Sequence, residues 1–178
     1  LEVNTASNNT AIGSDALTAN TTASENTAVG SGSLGANTTG AQNTAVGKLA
    51  LVANTTADNN TALGYNALYS NTTANDNTAL GYEALKANTG SQNTVIGSGA
   101  GLKNTTSANN VFIGYFSGEE NTTGFANIAI GSFTLQENTT SYSNVAIGYQ
   151  SMQDGNTNNG NTAIGYQAMK ANTSGGIS

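Results

Sequence analysis

Aliphatic residues fall at one phase of a strict period along this chain. Ile12, Val29, Val46, Leu63, Leu80, Ile96, Ile113, Ile130, Ile147 and Ile164 are each followed by Gly. Each closes the apolar part of a pentad, Asn-Thr-Ala-(Ile/Val/Leu)-Gly or a near variant, that starts at Asn9, Asn26, Asn43, Asn60, Asn77, Asn93, Asn110, Asn127, Asn144 and Asn161. The step is seventeen residues, except for sixteen between Asn77 and Asn93. A period that covers the whole chain predicts a solenoid, whose coils bury their apolar sides only by stacking on their neighbours. The expected fold is all-β, a parallel β-solenoid of about ten 17-residue coils.

Within a coil the pentad reads as a short strand, so Thr10 and Ile12 share one face and Ala11 takes the other. Hydrophobicity assigns the ten-residue Ile12 column to the core. The Thr10 column becomes Val111, Ile128 and Val145 in three coils, which places it inward as well, its hydroxyls bonded to carbonyls or to each other. The alternating column then faces outward: Ala11, Ala28, Ala45, Ala62, Ala79, Val95, Phe112, Ala129, Ala146 and Ala163. A long outward apolar stripe is expected to be a subunit interface, because exposed contiguous apolar surface marks one.

Gly13 and its nine equivalents end the strand, which implies positive φ or close backbone approach. A second core column follows at Leu17, Leu34, Leu51, Leu68, Leu85 and Leu135, with Met152 and Met169 in the last two coils. Gly101 and Gly118 interrupt it, and Leu102 is the candidate to fill the first gap. Tyr65, Tyr82, Tyr115, Tyr149 and Tyr166 directly follow the strand-ending Gly and form a candidate ligand face, since aromatic rings suit amphipathic ligands such as sugars.

Asn-Thr-Thr triplets begin the far turn at Asn20, Asn37, Asn54, Asn71, Asn104, Asn121 and Asn138, with variants at Asn88, Asn156 and Asn172. Stacked Asn side chains there are expected to form amide ladders along the axis. The short coil loses its residue between Asn88 and Asn93, and the coil around Asn156 shifts one residue across its Asn, so length changes fall in turns. Leu1 and Asn4-Thr5 fit the late phase of a preceding coil. Asn172-Thr173-Ser174 and Ser178 close the chain at nearly the same phase. The expectation is one repeat solenoid over residues 1–178, without caps, as part of a longer fibre or stacked end to end into a filament.

Composition narrows the function classes. Only 8% of residues are charged, well below the usual quarter, and Pro is absent, which suits unbroken backbone ladders. The net charge of −6 with four Lys disfavours nucleic acid and anionic membranes as partners. No apolar run approaches the ~20 residues of a membrane span, and no signal peptide is evident, as expected of a processed or excised segment.

At Asn127-Ile128-Ala129-Ile130-Gly131 and Asn144-Val145-Ala146-Ile147-Gly148 the pentad resembles the head repeat of YadA-like trimeric autotransporter adhesins. The longer Asn-Thr-Ala-Leu-Gly-Tyr-x-Ala-Leu runs from Asn60 to Leu68 and from Asn77 to Leu85 are similar to repeats of phage tail fibres and bacterial surface proteins. The resemblance implies a left-handed β-roll, homotrimers and an extracellular, cell-surface or virion-fibre location. The coil length and the Asn-Thr-Thr turn depart from the adhesin pattern.

Catalytic chemistry finds little footing. Absence of His removes a Ser-His or Cys-His pair, and absence of Cys removes thiolate sites. Asp58 and Asp76, and adjacent Glu119 and Glu120, are the remaining carboxylate candidates, read as solvated charges. No calcium nonapeptide or phosphate loop is present, so the expectation is no catalytic residues, no metal and no cofactor. The Asn-Thr-Thr triplets and Asn172-Thr173-Ser174 match the N-glycosylation sequon, and the solenoid reading makes them structural turns instead. The expected function is a non-catalytic structural or adhesive fibre segment, with self-association and a surface glycan or protein as partners. An ice-binding solenoid is the alternative, through the column Thr21, Thr38, Thr55, Thr72, Thr89, Thr105, Thr122, Thr139, Thr157 and Thr173. Against it stand the Asn-Thr-Thr spacing and the inward assignment of Thr10.

Overall fold

The computed structural model describes residues 6–155 and 157–171. The turn at Asn156 and the terminal phases at Leu1, Asn4, Thr5, Asn172, Thr173, Ser174 and Ser178 lie outside the described residues. Among the described residues, ten three-residue strands form one parallel sheet in sequential order. They are β1 (Thr10–Ile12), β2 (Thr27–Val29), β3 (Thr44–Val46), β4 (Thr61–Leu63), β5 (Thr78–Leu80), β6 (Thr94–Ile96), β7 (Val111–Ile113), β8 (Ile128–Ile130), β9 (Val145–Ile147) and β10 (Thr162–Ile164). Each pentad pairs with the next in register, Ala11 with Ala28 and Ile12 with Val29. The register survives the sixteen-residue coil, where Ala79 pairs with Val95. The fold is a parallel β-solenoid with about seventeen residues per coil and, among the described residues, no helix. At about 4.8 Å per strand the sheet is roughly 45 Å long.

Each coil closes through left-handed residues at fixed phases. In the first coil these are Asp15, Leu17 and Glu25, at φ 60°, 50° and 64°. A non-Gly residue in this region costs about 1–2 kcal/mol. Burial of Leu17 and its equivalents, which are fully inaccessible in seven coils (six Leu and Met152), offsets that cost. Backbone rungs also run between coils away from the sheet, as from Leu17 N–H to Ser33 O at 3.1 Å and Ala19 N–H to Gly35 O at 3.1 Å.

Gly13 and its equivalents as far as Gly148 meet both conditions at once. Gly64 sits at φ 139°, and a Cβ there would stand 2.3 Å from the carbonyl oxygen of Gly81. Only Gly allows that dihedral and lets successive coils approach so closely.

The strand faces are the reverse of the hydrophobic expectation. Ala28, Ala45, Ala62, Ala79, Val95, Phe112, Ala129 and Ala146 are completely buried, Ala163 nearly so, and Ala11 is partly buried. This column lines the interior and is not an exposed interface. Ile12, Leu63, Ile96 and Ile164 are exposed, and Val29, Val46, Leu80, Ile113, Ile130 and Ile147 are half-buried. That column is therefore outside the coil and is not the core ladder. The Thr10 column goes with it: Thr10, Thr44, Thr94 and Thr162 are exposed.

Two physical causes set this orientation. Asn9 has the same strand parity as Ala11, and its amide is required inside. Asn9 Oδ1 accepts the backbone N–H of Asn26 at 2.9 Å, and its Nδ2 donates to the carbonyl of Ala23 at 2.8 Å. Alternation then drives Thr10 and Ile12 outward. The interior is also too narrow for two large side chains per coil, as the Phe112 coil demonstrates. Where Phe112 replaces the usual Ala, Gly118 replaces the usual Leu, and a Cβ on Gly118 would stand 2.7 Å from the ring. A Cβ on Gly101 would meet Leu85 Cδ2 at 3.0 Å and Phe112 Cδ2 at 3.4 Å. Phe112, with Leu85 and Val95, fills the first gap in the Leu column, whereas Leu102 is only half-buried beside it.

The core is thus half apolar and half amide. Ala11, Ala16 and Leu17 make one wall, and the Asn9 and Asn20 columns make the other. Asn20 Nδ2 donates to the same Ala23 carbonyl at 3.0 Å, so both amides converge on one oxygen. Asn37 Nδ2 reaches Asn20 Oδ1 at 3.1 Å, Asn54 reaches Asn37 at 2.8 Å, and Asn121 reaches Asn104 at 2.9 Å. These are the expected amide ladders. Buried amides of this kind are tolerated because each is hydrogen-bonded to a neighbouring coil.

Candidate interaction faces

Three surfaces stand out from this frame. The first is the outer face of the sheet. It carries two ranks, Thr10 with its equivalents and Ile12 with its equivalents, side by side along every coil. Neither rank contains a charged residue. The first six coils present Thr in the first rank. β7, β8 and β9 present Val111, Ile128 and Val145 instead, which makes a wholly aliphatic zone with Ile113, Ile130 and Ile147.

The second surface is the turn after the strand. Tyr65, Tyr82, Tyr115, Tyr149 and Tyr166 are all exposed, in agreement with a surface column. Tyr65 stacks on Tyr82 with centroids 5.5 Å apart, and Tyr149 on Tyr166 at 5.7 Å. Phe116 and Phe133, one residue further along the coil, extend the column sideways. Phe133 meets Tyr115 edge-on at 5.3 Å and Tyr149 at 6.0 Å, so it bridges the break that Ser132 leaves between them. The stacked pairs turn their faces to each other along the axis and present ring edges outward. A second stack, Phe125 on Tyr142 at 4.7 Å, occupies the far turn. Sequence reasoning missed Phe116, Phe133, Phe125 and Tyr142. Their seventeen-residue spacing, Phe116 to Phe133 and Phe125 to Tyr142, was the available signal.

The third surface is acidic. Glu119, Glu120, Gln136, Glu137 and Thr139 line an open cleft. Lys103 Nζ pairs with Glu120 at 2.6 Å, which raises the lysine's pKa, and Gln136 Nε2 donates to Glu119 at 2.8 Å. Asp58 accepts the backbone N–H of Ala41 at 2.7 Å and Asp76 accepts Asn59 Nδ2 at 3.3 Å, so these carboxylates serve turns. Lys86 Nζ lies 2.8 Å from Glu83, and this hydrogen bond lowers the Glu83 pKa and raises that of Lys86. Among the described residues no group of three His, Cys, Asp or Glu is placed to hold a metal ion, and no helix is long and apolar enough to cross a membrane.

The candidate ice-binding column behaves differently from its sequence reading. Thr38, Thr55 and Thr122 turn their hydroxyls to the carbonyl of the Thr one coil on, at 3.0, 3.1 and 2.9 Å. These hydroxyls serve the backbone rather than a free surface. Thr173 lies outside the described residues. The Thr rank that is free of such a role is the Thr10 rank on the sheet.

No family model matches the chain, and no curated protein or solved structure is similar to it at a significant level.

Proposed function

We propose that the chain is a non-catalytic segment of an extracellular, cell-surface or virion fibre, in which three copies pack through the outer face of the sheet. The observation that carries this reading is the outward Ile12 column, aliphatic in all ten coils and free of charge. The two ranks cover roughly 450 Å² of uncharged projected surface, the size of the largest patch on a typical monomer, which is often functional. Copies of the same rod offer matched ranks at the same axial spacing, so a trimer would cover the stripe along its length. The fibre would set length and present the opposite, polar turns and the tyrosine column to a glycan or protein on another surface. Light scattering and sedimentation equilibrium at micromolar concentration test the assembly: a trimer is expected, and a monomer removes it.

One observation favours a second reading, an ice-binding solenoid. Thr10, Thr27, Thr44, Thr61, Thr78, Thr94 and Thr162 project from the sheet in register beside an aliphatic rank. Regular hydroxyls and methyls on an uncharged face are suited to ordering water. Thermal hysteresis and recrystallisation assays decide it, and absence of both effects at millimolar protein eliminates it.

A further inference from the structure

The sequence contains seven complete Asn-Thr-Thr sequons among the described residues, and also two Asn-Asn-Thr sequons, at Asn8 and Asn59. The fold divides them sharply. Every Asn of the first group, from Asn20 to Asn138, is at most 2% exposed, and its Nδ2 is committed to the core. Asn121 is representative: its Nδ2 lies 2.9 Å from Asn104 Oδ1 and 2.9 Å from the Gly124 carbonyl. Asn8 and Asn59 are exposed at left-handed turn positions, φ 63° and 60°.

We propose that Asn59 and Asn8 are the positions at which this fold accepts an Asn-linked oligosaccharide, and that a glycan on any Asn-Thr-Thr turn prevents the coil from closing. In the transfer, Nδ2 forms a bond to C1 of a sugar held on a polyprenyl pyrophosphate. The C1–O bond to the pyrophosphate breaks, and the amide loses one proton to a base. A substituted Nδ2 keeps one N–H. At Asn59 that hydrogen suffices for the single bond to Asp76 Oδ1, and the sugar extends into solvent. At Asn37 the sugar would have to lie between Asn20 and the Gly40 carbonyl, both within hydrogen-bond distance and both inside the coil stack. Coils about 4.8 Å apart have no room for it. Because sequons are modified on the emerging chain, before Nδ2 is buried, an occupied Asn-Thr-Thr arrests folding instead of being excluded by it.

The test is expression of the full chain through a eukaryotic secretory pathway, with separation of protease-resistant from protease-sensitive product and glycopeptide mapping of each. The resistant fraction is expected to carry glycan at Asn59 or Asn8 and at none of the seven Asn-Thr-Thr turns, which appear occupied only in the sensitive fraction. A companion chain changes the second Thr of each triplet, Thr22→Ala through Thr140→Ala, all exposed residues, and so removes the seven sequons without touching the ladder Asn. Its yield of resistant product is expected to rise several-fold over the unaltered chain. Glycan on any Asn-Thr-Thr turn in resistant protein overturns the proposal. So does a companion chain that folds yet is bare at both Asn59 and Asn8, or one that gains nothing in resistant yield.

Discussion

Phe112 and Gly118 occupy one space: the ring lies where a Cβ on Gly118 would stand, 2.7 Å from Cδ2 and Cε2. The coil holds one large interior side chain, supplied by the Ala column here and by Leu or Met in the coils other than that of Val95 and Gly101. Phe112→Ala alone should cost about 3–5 kcal/mol, because the cavity has no neighbour to fill it. Gly118→Leu alone should fold poorly through overpacking. The double change Phe112→Ala with Gly118→Leu restores the common coil, including a Leu at a left-handed position that Leu tolerates in six other coils. It should recover most of the loss in denaturant midpoint. A double variant no more stable than Phe112→Ala would show that the two positions do not share the space.

Gly64 admits no substitute. Gly64→Ala places a methyl 2.3 Å from the Gly81 oxygen at a φ of 139°. Neither the backbone contact nor the dihedral can relax without opening the sheet between β4 and β5. The expected loss is about 4 kcal/mol or more, at the rare end for one substitution. Hydrogen exchange should show the loss of protection centred on that pair of coils.

The sixteen-residue coil leaves a defect that can be repaired. The Asn20-type ladder runs from Asn71 back to Asn20 and from Asn138 back to Asn88, with no bond from Asn88 to Asn71. Asn71 Oδ1 is buried and has no partner, and the backbone rung from Thr72 to Thr89 is absent as well. Asn88 Nδ2 instead bonds Gly90 O at 2.7 Å, two residues on rather than three. Inserting one Thr after Thr89 reproduces the Asn37-Thr38-Thr39-Gly40 turn and should restore the rung. An unsatisfied buried acceptor costs about 1–3 kcal/mol, so stability should rise by that order. A lower melting temperature for the insertion would show that the short turn is the better fit.

The same residues show what the sequence made legible. Period, strand positions, the Leu17 column, the strand-ending Gly and the Asn ladders all follow from spacing, because each repeats at one phase and each has one chemical reason. The facing of the strand does not follow from hydrophobicity, since Ile outranks Ala for burial and yet lies outside. Parity carried the answer: Asn9 and Ala11 share a face, and an Asn present in every coil needs backbone partners that only the interior supplies. The exchange of Phe112 for Ala beside Gly101 and Gly118 for Leu gave the same answer, since residues that trade volume must touch. Which outer rank meets a partner is not written in either pattern, because outward side chains are constrained by what they contact outside the coil.

Stability should depend weakly on pH through the neutral range. The chain has no His. Glu83, lowered by Lys86, contributes above the ordinary carboxylate pKa and loses its contribution as pH falls through its lowered value. Lys86, raised by Glu83, contributes below the ordinary lysine pKa and loses its contribution as pH rises through its raised value. The pair is therefore intact between roughly pH 5 and pH 10. The Lys86 side chain is 39% exposed, so the pair is worth at most about 1 kcal/mol after screening. Lys86→Met should lower the melting temperature slightly at pH 7 and not at all well below pH 4. An equal effect at both would assign the change to packing.

Ala129 and Ile130 are neighbours with opposite roles, and a single substitution type separates them. Ala129 is completely buried and pairs with Phe112 across the sheet. Ile130 is half-buried on the outer face, beside Ile113 and Ile147. Ala129→Asp buries a carboxylate without a cationic partner and should cost several kcal/mol, enough to open the surrounding coils. Ile130→Asp leaves the charge in water in the monomer and should change its stability by no more than about 1 kcal/mol. In an assembly through the outer face, however, three carboxylates would meet in an apolar seam, so Ile130→Asp should sediment as a folded monomer at concentrations where the parent is a trimer. Circular dichroism and sedimentation on the two variants read both claims at once. An unfolded Ile130→Asp beside a folded Ala129→Asp would invert the strand, and a trimeric Ile130→Asp would move the interface to another face of the rod.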